Sequence, residues 1–171
     1  MSYEEVVVNS LNQNNVQFMV HIPDKVLLPI VKLAEHSGNF TSLLVAREEE
    51  GVAICAGLHM GGKKPVILMQ SSGIGNSVTA LTSVIQSHQI PLVIIVSLRG
   101  GLFEYNPSDV PLGRSLGKLL DSLSIPNFQP GSDRELSITL DGAFRLAETS
   151  QGPVVVTINA NILKRWENEI K

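Results

Sequence analysis

Three consecutive acids stand where a β-rich run gives way to a helix of small residues. Glu48, Glu49 and Glu50 follow LLVAR and precede GVAICAGLHM. Acids in the first turn of a helix interact favourably with its macrodipole, by about 0.3–1 kcal/mol each, which accounts for carboxylates that face water. A helix this apolar is typical of a central position, so at least one carboxylate needs a partner among packed atoms or at an interface. No metal-ligand pattern or cysteine cluster lies nearby, so we expect that partner to come from outside the chain.

Two other segments carry side chains that suit ligand chemistry. HIPDK at 21–25 offers His21, Asp24 and Lys25, although a turn with Asp24 as the N-cap of the next helix explains this segment more simply. SLRGG at 97–101 places Arg99 before a loop rich in Gly, Pro, Asn and Asp. Arg99 is either a surface arginine or a clamp for an anion, since a guanidinium matches sulfonate, phosphonate or carboxylate oxygens.

QSSGIGN at 70–76 contains Gly-x-Gly ahead of a helical pattern. It lacks the third glycine of a dinucleotide fingerprint and the lysine of a P-loop, so it is a weak signal for phosphate. We interpret SSGIGN as a glycine turn. Its free N–H groups, next to a helix N-terminus, favour anions or the polar edge of a ligand.

Composition narrows the class of protein. The 171 residues carry a formal net charge of −3 and 5% aromatic residues, which argues against a nucleic-acid binder, because such proteins need a basic face and stacking side chains. The single cysteine, Cys55, favours a buried, inert thiol over a nucleophile. The apolar runs are too short to span a bilayer, and the acidic amino-terminal segment is unlike a secretory signal. We therefore expect a cytoplasmic protein that does not bind a membrane.

Strand and helix patterns alternate along the chain, which predicts one domain over residues 1–171. Strand patterns cover 16–20, 40–46, 65–70, 91–97 and 152–159, and helical patterns cover 4–15, 25–38, 48–60, 77–89, 112–125 and 132–151. Ser132 and Glu135 predict a capping box at the start of the helix over 132–151, and residues 160–171 are predicted to form a polar closing helix or tail. Several strands are continuous apolar runs, which is typical of parallel strands covered on both faces. We therefore predict an α/β, doubly wound, three-layer domain with a mainly parallel sheet of five or six strands, whose ligands lie beyond the carboxyl ends of the strands.

The acids, the glycine turn and the arginine loop follow one another along the chain in an order that resembles a known family, although no single motif would show this resemblance. The stretch REEEGVAICAGLHMGGKKPVILMQSSGIGNSVTALTSVIQSHQIPLVIIVSLRG resembles the pyrimidine-binding (PYR-type) domain of thiamine diphosphate (ThDP)-dependent decarboxylases. The resemblance covers nearly the whole chain and is best over residues 45–126. It is most similar to the alpha subunits of sulfopyruvate decarboxylases, and next to phosphonopyruvate decarboxylases.

The resemblance implies a role for each candidate residue. In the family, a glutamate at the start of the helix after the second strand hydrogen-bonds N1′ of the cofactor's aminopyrimidine and shares a proton with it. This catalytic role falls on Glu48, with Glu49 or Glu50 as alternatives one or two residues away. The implied cofactor contacts are Pro23, Asp24, Glu48, Ser72 and Gly73. The implied substrate contacts are His21, Lys25, Gln70 and Arg99.

The resemblance also implies a partner. In this superfamily the diphosphate and its metal are held by a second domain that carries Gly-Asp-Gly and, further on, Asn-Asn. This sequence contains no Gly-Asp-Gly. We therefore expect ThDP to be shared with a beta subunit that carries the diphosphate-binding domain and holds Mg²⁺. This chain is expected to supply no metal ligand, and the assembly is expected to be a higher hetero-oligomer.

The implied activity is that of a carboxy-lyase acting on a small 2-oxoacid. The leading hypothesis is conversion of 3-sulfopyruvate to sulfoacetaldehyde and CO₂ in coenzyme M biosynthesis. One alternative keeps the chemistry but takes phosphonopyruvate or another 2-oxoacid. The other alternative is a non-catalytic binding subunit of the same fold, against which the acid at Glu48 argues. A neighbouring reading frame with Gly-Asp-Gly and Asn-Asn would discriminate between enzyme and binding module.

Overall fold

A six-stranded sheet, parallel throughout, organises the chain. The computed structural model describes residues 1–102 and 104–159. The strands lie in the order β2-β1-β3-β4-β6-β5, so the chain runs outward from β1 in both directions. The predicted doubly wound α/β fold is therefore confirmed, with six strands. They are β1 (Phe18–His21), β2 (Thr41–Leu44), β3 (Pro65–Gln70), β4 (Leu92–Ser97), β5 (Asn127–Phe128) and β6 (Pro153–Ile158).

Helices cover both faces of the sheet because side chains alternate along each strand. Met19 of β1 faces the core under α1 (Tyr3–Gln13), α2 (Leu28–Ser37) and α7 (Asp133–Ser150), while its neighbour Val20 faces the core under α3 (Glu48–Met60) and α6 (Val110–Ser122). Most residues of β3 and β4 are fully buried, as their continuous apolar sequences predict. The helices are α1 (Tyr3–Gln13), α2 (Leu28–Ser37), α3 (Glu48–Met60), α4 (Ser71–Asn76), α5 (Val78–Ala80), α6 (Val110–Ser122) and α7 (Asp133–Ser150), with a π-helical segment (Leu81–Gln86) and a 3₁₀ turn (Pro107–Asp109).

The glycine turn predicted at SSGIGN is wrong, because Ser71–Asn76 forms helix α4. Its two glycines do not adopt the left-handed conformation that a turn would require. They serve close packing instead. A Cβ at Gly75 would lie 2.8 Å from Leu112 Cδ2 of α6, and one at Gly73 would lie 2.4 Å from Glu48 Cγ of α3. The absence of two side chains lets α4 fit between these helices.

Other differences from the sequence-based prediction are small. β5 was not predicted, because two residues are too short to show a pattern. Ser132 caps α7 as expected, accepting from the Glu135 N–H at 3.3 Å, but the Glu135 carboxylate accepts from the Gly131 N–H rather than from Ser132. The closing helix or tail predicted from residue 160 onward lies outside the described residues.

Helix α3 lies unusually close to the sheet at its first turn. A Cβ at Gly51 would lie 2.8 Å from Ile67 Cδ1 of β3, so a larger residue would push the helix away. Cys55, one turn further on, is fully buried, and burial raises the pKa of its thiol, which confirms the prediction of an inert cysteine. No helix within the described residues has the length and apolarity needed to cross a membrane.

Candidate active site

Glu48 occupies the crevice between α3 and α4, beyond the carboxyl ends of β1 and β3. It is the first residue of α3 and is half-buried. Its Oε2 accepts a hydrogen bond from Asn76 Nδ2 at 3.1 Å, and its side chain covers Gly73. Its other carboxylate oxygen, Oε1, has no hydrogen-bond partner among the described residues. Glu48 therefore presents one engaged and one unengaged oxygen at the point where the winding direction of the sheet reverses.

The neighbouring acids make different contacts. Glu49 Oε1 accepts from Arg47 Nε at 2.5 Å, and the pKa of Glu49 is lowered by a hydrogen bond from its own backbone N–H and by Arg47. Glu50 is exposed, and its carboxylate accepts from the Ala46 N–H at 3.3 Å. Both contacts are local to the start of α3. They agree with the explanation that acids in the first turn of a helix interact favourably with its macrodipole. Within the described part of the chain, Glu48 is the one acid of the three whose side chain forms a hydrogen bond with another element.

Arg99, which follows β4, is surrounded by three carboxylates. Its Nε and Nη2 both donate to Glu104 at 2.8 Å, and Nη2 lies 3.3 Å from Asp109 Oδ2. Nη1 lies 3.8 Å from Asp24 Oδ2. The side chains of Asp24 and Glu104 are 3% and 9% exposed. The hydrogen bond from Arg99 lowers the pKa of Glu104 to about 2, and the same bond raises the pKa of Arg99.

Asp24 links the turn after β1 to this cluster. Its Oδ1 accepts from the backbone N–H groups of Val26 and Leu27 at 2.9 and 3.0 Å, in the turn that precedes α2. The N-cap of α2 is Leu27, so the N-cap predicted at Asp24 is wrong: Asp24 stabilises the turn before the helix. Its Oδ2 faces Arg99. A carboxylate with such low exposure needs these partners, and it has both. Pro23 and Lys25 on either side are exposed, and Lys25 makes no hydrogen bond or ion pair with the described residues.

Gln70 is the last residue of β3, at the edge of the sheet where the parallel strands end (the carboxyl edge). It connects the part of this edge near Glu48 with the part near Arg99. Its surroundings favour the amide orientation in which the oxygen accepts from Arg99 Nη1 at 3.3 Å and the nitrogen donates to Asp109 Oδ1 at 3.3 Å. The same nitrogen lies 2.5 Å from Ser72 Oγ. Gln70, Ser72, Asp24 and Arg99 therefore lie in one network.

His21 lies apart from both groups. Its Nε2 is 3.0 Å from Ser42 Oγ, and Ser42 in turn donates to Glu35 at 2.8 Å. Because the Ser42 proton goes to Glu35, His21 must donate from Nε2, which leaves Nδ1 as the acceptor. Burial lowers the pKa of His21, with Glu35 opposing the effect. These partners lie on β2 and α2, so the substrate contact expected from His21 stays a prediction.

Sequence reasoning missed Asn76, Glu104 and Asp109. Asn76 follows Gly73 by three residues, and this spacing puts the two on one helical face only if α4 is recognised as a helix. Glu104 and Asp109 lie in the polar loop after Arg99, where no periodic pattern marks a partner. A cavity of about 430 Å³ lies at the opposite, amino-terminal edge of the sheet, beside Gln17, Lys64 and Phe144, and none of the candidate residues line it.

Comparison with known proteins identifies the family. A family model described as the N-terminal TPP-binding domain of thiamine pyrophosphate enzymes matches residues 1–101. The sulfopyruvate decarboxylase subunit alpha of Methanocaldococcus jannaschii is 42% identical over 129 residues, 75% of this chain and 76% of that protein. The protein of the same name from Methanococcus maripaludis is 32% identical over 99% of both chains. The chain belongs to the sulfopyruvate decarboxylase alpha subunit family.

Two further proteins that resemble this alpha subunit family member are considerably longer than it is. The sulfopyruvate decarboxylase of Methanosarcina acetivorans is 33% identical over 96% of this chain, which spans 41% of that longer protein. The solved structure of a 2-oxoglutarate:ferredoxin oxidoreductase from Magnetococcus marinus superposes with a TM-score of 0.73 at 15% identity, over 94% of this chain and 29% of that one. The structural likeness shows the fold alone. The resemblance inferred from the sequence is confirmed by the relatives.

The residues at the carboxyl edge fit the cofactor of this family. A carboxylate that shares a proton with an aminopyrimidine needs an oxygen not already engaged by its own chain, and Glu48 Oε1 meets that requirement. The Glu48 side chain packs over Gly73, which has no side chain of its own: a Cβ there would lie 2.4 Å from Glu48 Cγ. Ser72 is half-buried beside Gly73 and Pro23 is exposed on the turn after β1, while Asp24 is committed to its turn and to Arg99.

Proposed function

We propose that this chain is the alpha subunit of a ThDP-dependent decarboxylase that converts 3-sulfopyruvate to sulfoacetaldehyde and CO₂ in coenzyme M biosynthesis. The observation that carries the proposal is the Glu48 carboxylate at the start of α3, with Oε2 held by Asn76 and Oε1 unengaged. Membership in the alpha subunit family supports the substrate. In this proposal residues 1–171 form one PYR-type domain.

The proposed mechanism assigns this chain the proton chemistry on one side of the cofactor. Bound ThDP supplies a nucleophilic carbon and an electron sink for the loss of CO₂. Glu48 holds or releases a proton at Oε1, next to the aminopyrimidine nitrogen. Gly73 and Ser72 line the crevice and orient the ring. The hydrogen bonds made by Gln70 and Arg99 hold the residues next to the ring in place.

The anionic groups of the substrate need cations, and the charges of the edge suggest which one. Arg99 already donates to Glu104 through two nitrogens and lies beside Asp109 and Asp24. Lys25 is exposed on the turn after β1, and its ammonium group makes no hydrogen bond or ion pair with the described residues. We infer that Lys25 attracts the sulfonate or carboxylate, and that Arg99 contributes only when Glu104 is displaced.

Two observations support a partner subunit that holds the diphosphate and Mg²⁺. The relatives are named as alpha subunits, and a longer relative extends well past the part that this chain matches. Leu28 and Leu44, which lie at the carboxyl edge, are 45% and 66% exposed, as expected for side chains that another chain covers. The active site is then completed at an interface, in a hetero-oligomer.

The decisive experiment is reconstitution with the beta subunit, Mg²⁺ and ThDP, followed by a CO₂ assay. We expect the isolated chain to be inactive and the complex to decarboxylate 3-sulfopyruvate in preference to phosphonopyruvate and pyruvate. Glu48→Gln should lose most turnover while the complex still assembles, because the amide cannot exchange a proton at this position. Glu49→Gln and Glu50→Gln are the matched controls, since their carboxylates make only local contacts.

Each alternative has its own result in this experiment. A preference for phosphonopyruvate or another 2-oxoacid would keep the chemistry and change the substrate. Full turnover by Glu48→Gln, with loss in Glu49→Gln or Glu50→Gln, would move the catalytic acid by one or two residues. No ThDP-dependent CO₂ release from a stable complex with any 2-oxoacid tested would favour the non-catalytic binding subunit.

A further inference from the structure

The hydrogen bond between Asn76 and Glu48 joins two helices that are far apart in the sequence. Asn76 is the last residue of α4 and Glu48 is the first residue of α3, and Nδ2 lies 3.1 Å from Oε2. The amide nitrogen must face the carboxylate, since the amide oxygen would place two acceptors against each other. We propose that Asn76 positions Glu48 so that proton exchange with the cofactor takes place at Oε1 alone. This inference rests on the proposed function.

The chemistry of the amide accounts for the selectivity between the two oxygens. The NH₂ group of Asn76 can only donate, so a proton on Glu48 Oε2 would face another donor and lose this hydrogen bond. A proton on Oε1 leaves the bond intact, because Oε2 then remains an acceptor. The two oxygens of the carboxyl group are therefore not equivalent: Oε2 anchors the side chain and Oε1 carries the exchangeable proton.

Packing holds the amide at this place. α4 is confined between two helices by its glycines, since a Cβ at Gly73 would meet Glu48 and a Cβ at Gly75 would meet Leu112 of α6. The backbone continues with Ser77, whose N–H donates to the carbonyl of Gly73 at 3.0 Å and so closes the last turn of α4. Asn76 thus sits on a short helix that has little room to move, although its own side chain is exposed. This is the arrangement expected of a residue that orients another.

The test uses the reconstituted complex with ThDP and Mg²⁺. A hydrogen bond to a charged group contributes enough that its removal in Asn76→Ala should lower kcat by about tenfold or more, with a much smaller change in KM, because the substrate is not contacted. Asn76→Asp should lose more, since it replaces a donor with a like charge. Asn76→Gln retains the donor and should recover part of the loss.

The matched control is Asn14→Ala. Asn14 ends helix α1, and its Nδ2 donates to Asp141 Oδ1 at 3.0 Å, so it makes the same kind of bond away from the carboxyl edge. Its loss should affect unfolding but not kcat. A second readout follows the bound cofactor itself: near-ultraviolet circular dichroism reports the tautomers of the aminopyrimidine, and Asn76→Ala should change their ratio while Asn14→Ala leaves it unchanged.

The outcomes separate this inference from the proposed function. If Glu48→Gln abolishes turnover but Asn76→Ala matches Asn14→Ala in both kcat and dichroism, the positioning role is wrong and the proposed function stands. Loss of kcat in Asn76→Ala without any change in the dichroism would also contradict it, because the effect would not act through the proton. If Glu48→Gln is itself fully active, the assignment of Glu48 fails first.

Discussion

At the scale of single side chains, Arg99 controls how much negative charge the carboxyl edge carries. Asp24, Glu104 and Asp109 set three carboxylates against one guanidinium, so the cluster keeps an excess of negative charge when all are ionised. An anionic substrate that approaches the cluster meets like charge. Under the proposed function, we therefore expect the substrate to enter from the side of Lys25, away from the three carboxylates around Arg99.

The pairing of Arg99 with Glu104 predicts a dependence of stability on pH. The pKa of Glu104 is about 2, below its ordinary value of 4.5, so the pair stabilises the fold above the ordinary value and this contribution is lost as the pH falls toward 2. We expect Glu104→Gln to unfold at a lower urea concentration than the wild type at neutral pH. The difference should shrink steadily as the pH falls from about 5 to about 3.

Urea titrations of the two proteins across this pH range measure the effect. Glu148→Gln is the control, since Glu148 forms an ion pair with Lys64 and its side chain is 56% exposed, and exposed pairs contribute about 0–1 kcal/mol. Parallel curves for wild type and Glu104→Gln over the whole range would contradict the stabilising role of the pair.

Site residues could be predicted where the signal is local. Asp24 accepts from the N–H groups two and three residues further on, a local turn that its residue type favours, although the helix begins later than predicted. Asn76 and Glu104 were missed because their partners are set by the packing of α4 and by the path of a loop. The acid triplet marks a candidate site in the sequence, and the contact with α4 favours Glu48 over Glu49 there.

At the scale of elements, α4 is the part of the fold that the site depends on most. Its two glycines replace side chains that would strike Glu48 and Leu112. Propensity predicts a turn for SSGIGN, since glycine disfavours a helix by roughly 1 kcal/mol relative to alanine. Packing overrides that preference here. By contrast, the bounds of β3, β4 and β6 were predicted to within one residue. These strands are buried on both faces, so each is a continuous run of apolar residues in the sequence.

We expect Gly73→Ala to impair catalysis more than folding. The added Cβ would lie 2.4 Å from Glu48 Cγ, a contact that the glutamate can relieve only by moving its carboxylate. Turnover of the reconstituted complex should fall by about tenfold or more, as expected when a catalytic group is displaced by about 1 Å. Thermal unfolding should shift by only a few degrees.

Gly142→Ala is the control for this substitution. Gly142 lies within α7, where a Cβ would meet nothing within 4 Å, so alanine should stabilise the helix by about 0.5–1 kcal/mol and leave turnover unchanged. If Gly73→Ala retained full turnover with a normal unfolding temperature, the close contact between α4 and Glu48 would have no bearing on catalysis.

At the scale of the whole molecule, the faces of the sheet and its carboxyl edge differ in what covers them. The two faces are buried by helices, whereas Leu44 projects from the carboxyl end of an edge strand with 66% of its surface exposed. Ile138, on the outer face of α7, is equally exposed. We expect the partner subunit to cover Leu44 and to leave Ile138 in water.

A pair of substitutions tests this arrangement. Leu44→Asp should weaken assembly with the beta subunit by about tenfold or more, since a buried charge without a partner is costly, and Ile138→Asp should assemble normally. Light scattering after size-exclusion chromatography measures the complex at decreasing concentrations. Equal assembly by both variants would mean that the partner docks elsewhere than at the carboxyl edge.

The close approach of α6 to the end of β4 has a consequence for anyone who wishes to change substrate preference. A Cβ at Gly113 would lie 2.1 Å from the Arg99 carbonyl oxygen, while Leu112 next to it contacts α4, which holds Glu48. One turn of α6 is thus common to the arginine and the acid, and a substitution there would disturb both at once. Glu104, by contrast, reaches the guanidinium through its side chain, from the loop after β4. If the proposed function holds, libraries that vary Glu104 are expected to change anion preference with less effect on the geometry of Glu48.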